Sequence, residues 1–285
     1  MNTSTWILTA LLAATSGLAA TTIDPAHNTA YGANIGWINA EGDVANGAVI
    51  GQAFCSGYLY SANVGWIHLG DGTPDNGIAY GNASATDCGV NHDGFGKLSG
   101  YAYGANVGWI NFEQTHGKPK FSLVTGKFSG SVWGANVGWI GLGESLGYVA
   151  TLTIDPGPDT DADNIPDAWE LSHTNTLAAL NGGDFDGDGV IDSDEYLAGT
   201  DPLDINDYLR ITDFSQSDTA DYVTWPAKAG RSYTLQRVDA LSSNIVWNVA
   251  KPPFLVAGNT DYSAKVPLSP TNRFYRVEAE PPLSP

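Results

Sequence analysis

The chain has 285 residues, with 31 acidic against 12 basic side chains and a formal net charge of −19. That balance argues against a nucleic-acid partner and against anionic membrane surfaces, whose phosphates repel it. With 42% hydrophobic residues the chain can bury a core, and its length predicts more than one domain; 34 glycines and 11% aromatics predict a mainly β, turn-rich protein.

Residues 1–20 read as a signal peptide. Trp6 to Leu12 is largely apolar, and Gly17-Leu-Ala19 or Ala19-Ala20 offers small residues for cleavage, although no Lys or Arg precedes the apolar run. The expectation is a secreted or cell-surface protein. No other stretch approaches the ~20 apolar residues of a spanning helix, so no membrane span is expected in the mature chain.

Residues 21–154 repeat one phrase four times: Tyr31-Gly-Ala-Asn34-Ile-Gly-Trp37-Ile, Tyr60-Ser-Ala-Asn63-Val-Gly-Trp66-Ile, Tyr103-Gly-Ala-Asn106-Val-Gly-Trp109-Ile and Trp133-Gly-Ala-Asn136-Val-Gly-Trp139-Ile. The recurring tryptophans are 29, 43 and 30 residues apart, a period that marks copied supersecondary units. Each copy reads as a β-hairpin. In Lys97 to Tyr103, Leu98, Gly100 and Ala102 alternate with Ser99, Tyr101 and Tyr103, the period of a strand. The step at Asn106 is turn chemistry, because Asn tolerates the left-handed conformation. A β-branched and aromatic run then follows.

By this alignment Cys55, Leu98 and Phe128 are equivalent, as are Leu59, Ala102 and Val132. Gly57, Gly100 and Gly130 mark close backbone approach. The first copy lacks an obvious leading strand. Trp37, Trp66, Trp109 and Trp139 are expected in the core, where large aromatics usually lie. Tyr31, Tyr60, Tyr103 and Trp133, with Tyr58 and Tyr101, either face solvent as a stacking row or pack on neighbouring units. The arrangement of units, as solenoid, sandwich or propeller-like ring, is left open by the pattern. Cys55 and Cys88 are expected to pair in an exported protein; two separate thiols, with Cys55 in the core, are the alternative.

Residues 155–207 hold fifteen Asp or Glu and no Lys or Arg. Asp184-x-Asp186-x-Asp188-Gly189-x-x-Asp192-x-x-Glu195 fits the calcium-loop template at every defined position. Calcium takes six to eight oxygens at about 2.3–2.6 Å, and alternating carboxylates on a tight loop can wrap one ion. In this reading Val190 supplies a backbone carbonyl and Glu195 a bidentate pair. Upstream, Asp159, Asp161, Asp163, Asp167 and Glu170 repeat the spacing, with Asn164 in place of the glycine. Short helices are expected over Pro166–Leu171 and Ser193–Ala198. Without a cation, so many clustered carboxylates repel one another.

This segment resembles the thrombospondin type 3 calcium-binding repeats, in the bacterial form that ends Glu195-Tyr-Leu-Ala-Gly-Thr-Asp-Pro202. The resemblance covers about residues 159–207. It implies calcium as the bound cofactor, with Asp201, Asp204 and Asp207 as further ligand positions. A dockerin-like module is the rival, but Glu170 and Glu195 close these loops where dockerins usually place Asp.

Residues 208–280 read as a small β-sandwich, with strands expected over 208–214, 222–225, 232–237, 245–249 and 273–277. Their pattern resembles immunoglobulin-like or fibronectin-like modules, which implies architecture and not activity. Residues 281–285 form a tail.

No catalytic constellation emerges, and the expectation is a protein that is not an enzyme. Gly143-Glu-Ser145-Leu-Gly147 has a nucleophile-elbow spelling, but a strand follows it where the elbow needs a helix. His68 sits where other copies carry Asn39, Asn111 and Gly141, which reads as surface tolerance. Glu113, Glu144, Asp71 and Asp93 are too cheap a set of carboxylates to define a glycosidase pair. The expected function is calcium binding with a structural or adhesive role, the partner being a polysaccharide or another surface protein. Carbohydrate binding by the repeat aromatics is the alternative.

Overall fold

The computed structural model describes residues 21–42, 45–178, 180, 183–241, 245–268 and 273–285. The expected signal peptide lies outside them. The fold is mainly β, as the composition predicts.

The four phrases fold as four hairpins. They pair β1 (Ile23–Gly32) with β2 (Gly36–Asn39), and, beyond the short β3 (Val49–Ile50), β4 (Cys55–Ser61) with β5 (Gly65–Gly70). After β6 (Val90–His92) come β7 (Leu98–Gly104) and β8 (Gly108–Asn111). After β9 (Lys120–Phe121) and β10 (Phe128–Ser129) come β11 (Ser131–Gly134) and β12 (Gly138–Gly141), then β13 (Val149–Thr151). Each hairpin pairs with the next, and β12 pairs back onto β1 through Tyr31↔Gly141 and Gly32↔Ile140. The sheet therefore closes into an antiparallel ring of β1, β2, β4, β5, β7, β8, β11 and β12. Eight strands leave an interior that side chains just fill. Ala30, Ile38, Ile67, Ala102, Ile110, Val132 and Ile140 fill it, and an apolar void of ≈40 Å³ remains at the core.

The first copy does have a leading strand, the ten-residue β1. Alternation hides it because its two halves serve different partners. Ile23 and Asn28 pair with β13 across a register shift, while Tyr31 and Gly32 pair with β2 and β12.

The tryptophans are not in the core. The hairpin register sets Tyr31 opposite Trp37, Tyr60 opposite Trp66, Tyr103 opposite Trp109 and Trp133 opposite Trp139. Cross-strand partners share a face, so each indole joins its partner ring outside and the following Ile turns inward. The four indoles are 47%, 45%, 45% and 45% exposed. The ring centroids of the pairs lie 4.9, 4.8, 4.8 and 5.0 Å apart.

The turns also correct the role given to Asn. The left-handed residue is the glycine two positions later: Gly36, Gly65, Gly108 and Gly138, with φ of 73°, 80°, 75° and 77°. An i→i+3 backbone bond, such as Val107 N to Gly104 O at 3.1 Å, followed by a left-handed glycine is a standard three-residue hairpin closure. Close backbone approach at the strand glycines is observed. A Cβ at Gly57, Gly100 or Gly130 would lie 2.2–2.4 Å from a carbonyl oxygen of Gly47, Gly89 or Lys118.

The cysteines are separate thiols, not a disulfide. Cys55 points into the barrel core, where burial pushes its thiol up to about 12. Cys88 lies on an outer loop with its Sγ 3.2 Å from Asn82 Oδ1.

Beyond the barrel come α1 (Asp167–Thr174) and α2 (Asp192–Ala198), close to the helices expected. The C-terminal unit is a sandwich of two three-stranded sheets. One contains β14 (Asp213–Gln216), β15 (Ala220–Ala227) and β18 (Thr260–Pro267), and the other β16 (Ser232–Val238), β17 (Asn248–Leu255) and β19 (Phe274–Glu280). Val223, Trp225, Tyr233, Leu235 and Val266 form its core. Residues 208–212 precede the first strand. Strand β18 escapes the sequence pattern because its inward positions include a small residue, Ala264, facing Val223 across the pair. Residues 281–285 do not hang free: Pro281 and Pro282 are buried, and Leu283 O accepts Ile154 N at 2.8 Å.

Candidate metal centre

Two loops of the acidic segment curl in the same way. In the first, Asp159 Oδ1 accepts Asp163 N at 3.2 Å, and its Oδ2 accepts Asn164 N at 3.0 Å. In the second, Asp184 Oδ1 accepts Gly187 N at 2.8 Å and Asp188 N at 3.1 Å, while Oδ2 accepts Gly189 N at 3.0 Å. The reversal needs a left-handed residue, and Asn164 (φ 74°) and Gly189 (φ 96°) both supply one. Asn164 thus does the work of the missing glycine.

Each loop runs into its helix by the same clamp. Asp167 accepts Thr160 N at 2.7 Å and Thr160 Oγ1 at 2.5 Å. Asp192 accepts Phe185 N at 3.0 Å. The spacing alone makes these two acids metal ligands. The structure adds a loop-closing role, which the shared offset of seven residues could have signalled.

Carboxylate oxygens of Asp159, Asp161 and Asp163 lie within 4.8 Å of one another, and so do those of Asp184, Asp186 and Asp188. The two glutamates come from the first turns of α1 and α2. Glu170 and Glu195 are each 0% exposed. Among the described residues, neither Glu170 oxygen has a hydrogen-bond partner, and neither do Glu195 Oε2, Asp163 Oδ2, Asp186 Oδ2 and Asp188 Oδ2. A buried, unpartnered carboxylate is among the costliest groups a fold can carry.

The electrostatics agree. Burial, followed by the charges of Asp161, Asp163, Asp167 and Asp159, pushes Glu170 up to about 8. Burial, with Asp186, Asp188 and Asp192, pushes Glu195 up to about 7. Asp163, Asp186 and Asp192 are also raised, chiefly by burial. Every donor is a hard oxygen, the chemistry that suits calcium, magnesium or manganese and not the thiolate or imidazole set of zinc. Val190 is half-buried, and its N–H donates to Asp188 Oδ1 at 2.7 Å. The further acids behave differently: Asp207 forms an ion pair with Lys228 and accepts Asp201 N.

The segment is tied to both β units through α2. Gln52 Nε2 donates to Tyr196 Oη at 2.8 Å, and Tyr196 Oη donates back to Gln52 Oε1 at 3.0 Å. Arg231 Nη2 of the sandwich donates to Tyr196 O at 2.9 Å. Tyr196 also joins Ile165, Leu180 and Trp169 in a small core of its own.

Among the other candidates, Glu113, Asp71 and Asp93 are spent on their loops. Glu113 accepts Thr115 N, His116 N and Gly117 N, and these bonds hold its carboxyl below the usual range. Asp71 accepts Thr73 N, and Asp93 accepts Phe95 N and Lys97 N. Ser145 is exposed in the turn bridged by Gly143 and Tyr148. His68 stacks on Tyr58 with centroids 4.7 Å apart. No family model, curated protein or solved structure matches the chain.

Proposed function

We propose that this is a secreted or cell-surface calcium-binding protein, without catalysis of its own, that has a structural or adhesive role. The observation that carries the reading is the set of six buried carboxylate oxygens without partners, drawn from Asp163, Glu170, Asp186, Asp188 and Glu195. One ion in each loop would satisfy them. Asp159, Asp161, Asp163 and Glu170 would hold the first, and Asp184, Asp186, Asp188, the Val190 carbonyl and Glu195 the second. Ion binding to the folded form alone stabilises it by linkage. Calcium, the ion that the resemblance to thrombospondin type 3 repeats implies, would therefore stiffen residues 159–207 between barrel and sandwich. Limited proteolysis with calcium and with chelator tests this. Chelation should expose residues 159–207 to cleavage while both β units stay intact, and equal cleavage in both conditions would sink the reading.

A second reading has its own support. The four exposed aromatic pairs of the barrel are a surface suited to stacking on sugar rings. On this reading the chain binds carbohydrate through the barrel, and the calcium segment is its rigid spacer.

A further inference from the structure

The four aromatic pairs are nearly equivalent, and one place breaks the equivalence. In three copies a glycine from the loop of the neighbouring copy, counted round the closed ring, lies against the indole. A Cβ at Gly42 would sit 3.0 Å from Trp66, one at Gly117 3.0 Å from Trp139, and one at Gly147 2.9 Å from Trp37. Trp109 follows the longest spacing in the repeat, and its preceding loop is the insertion at residues 71–89. No glycine there takes the covering place. The positions at Gly72 and Gly77 face Ser56 and Leu171 instead.

The insertion is a built structure. Its first half seats Tyr80, which is buried and donates to Cys55 O while accepting Gly72 N at 2.7 Å. Its second half is fixed by Asp87, which accepts Gly81 N at 2.8 Å and whose carbonyl accepts Asn82 N at 2.9 Å. Ser84 Oγ accepts Asp87 N at 3.1 Å. This half stands off from Trp109 and leaves two adjoining hollows of ≈430 Å³ each. Tyr101 and Trp109 line both, and Tyr103, His68, Asn82 and Ser84 complete the walls.

We propose that this double hollow around Trp109 is a binding site for a pyranose ring of a neutral polysaccharide. The proposal rests on the carbohydrate reading above and assigns it to one copy. The chemistry is that of the lining. Aromatic faces stack on the C–H face of a sugar, and His68, Asn82 and Ser84 place uncharged polar side chains at the rim, those of Asn82 and Ser84 already bonded within the loop. Among the described residues no Asp, Glu, Lys or Arg lines either hollow, and the net charge of −19 repels anionic chains. By contrast, the hollow beside Trp133 and Trp139 is bordered by the Glu113 carboxylate.

The test is affinity electrophoresis of the full chain, in calcium, through gels containing a soluble glucan, xylan, mannan or galactan, with polygalacturonate as the anionic probe. At least one neutral polysaccharide should retard the protein. Trp109→Ala should weaken retardation by about tenfold or more, as loss of a central aromatic anchor does. Ala85→Trp, which fills the hollow from the exposed loop, should weaken it too, while Trp66→Ala changes it less than about twofold. Bound polysaccharide should also protect Cys88 from a maleimide. Equal losses in the alanine variants of Trp37, Trp66, Trp109 and Trp139, or none in Trp109→Ala, would overturn the assignment to this copy and leave binding along the four aromatic pairs standing. Retardation by polygalacturonate alone would overturn the neutral class. No retardation by any polymer would remove the carbohydrate reading and this site with it.

Discussion

Asn34 donates its side-chain amide to the carbonyl of Val137, 103 residues along the chain, at 3.1 Å. The same bond recurs from each copy to the one before it: Asn63 to Ile35 O, Asn106 to Val64 O and Asn136 to Val107 O, at 3.0, 3.0 and 3.1 Å. The chain of donors is circular, and the Asn34 bond closes it. Each amide lies over the left-handed glycine of the previous turn, so the glycine's missing side chain makes room for it. One short phrase thus specifies a turn and also the joint to its neighbour.

Asn34→Ala should destabilise the barrel by about 1–2 kcal/mol, the cost of leaving a carbonyl short of its donor. The readout is the melting of the barrel tryptophan fluorescence. Asn63→Ala and Asn136→Ala should fall in the same range. No effect in all three would mean that the ladder is incidental to closure.

The acidic loops predict an unusual pH response in chelator. Glu170 and Glu195 sit at about 8 and about 7 in the fold, above the ordinary 4.5. The folded metal-free chain therefore keeps protons that the unfolded chain has already lost. Stability from these groups is greatest below about pH 4.5 and falls as pH rises toward about 8. Calcium needs the ionised carboxylates, so its addition near pH 6.5 should release protons and its addition at pH 9 should release almost none. A pH-stat titration reads this directly. Proton release that does not depend on pH would contradict the buried placement of the two glutamates.

The thiols give a chemical check on the fold. Native alkylation should modify Cys88 and spare Cys55, and prior reduction should not change the mass. Burial raises both thiols above their ordinary value, so even Cys88 should react slowly at neutral pH. A mass gain of two protons on reduction would show a bridge and overturn the barrel packing around Cys55.

The parts legible in the sequence were local. Leu98, Ala102 and their equivalents face the core because alternation fixes them relative to their own strand. The loop acids fall where their spacing places them, and Asn164 turns left-handed as its chemistry allows. What escaped depends on register between strands. Trp109 faces out because it opposes Tyr103, a pairing that neither residue's own strand reveals. The ring closes because Tyr31 meets Gly141, a contact spanning the whole repeat domain. The expected exported compartment alone favours a bridge between Cys55 and Cys88, but one sits inside the barrel and the other on its outer loop.

Calcium in the two loops is the central claim, and isothermal titration of the metal-stripped chain tests it most directly. Two ions should bind per chain, with dissociation constants that can be as weak as about 10⁻⁴ to 10⁻³ M, values known for calcium modules that work outside cells. Glu195→Gln should lose the ion of the second loop and keep the first, and Glu170→Gln should do the converse. Absence of calcium binding by the wild-type chain, or an unchanged stoichiometry of two in both variants, would contradict the account.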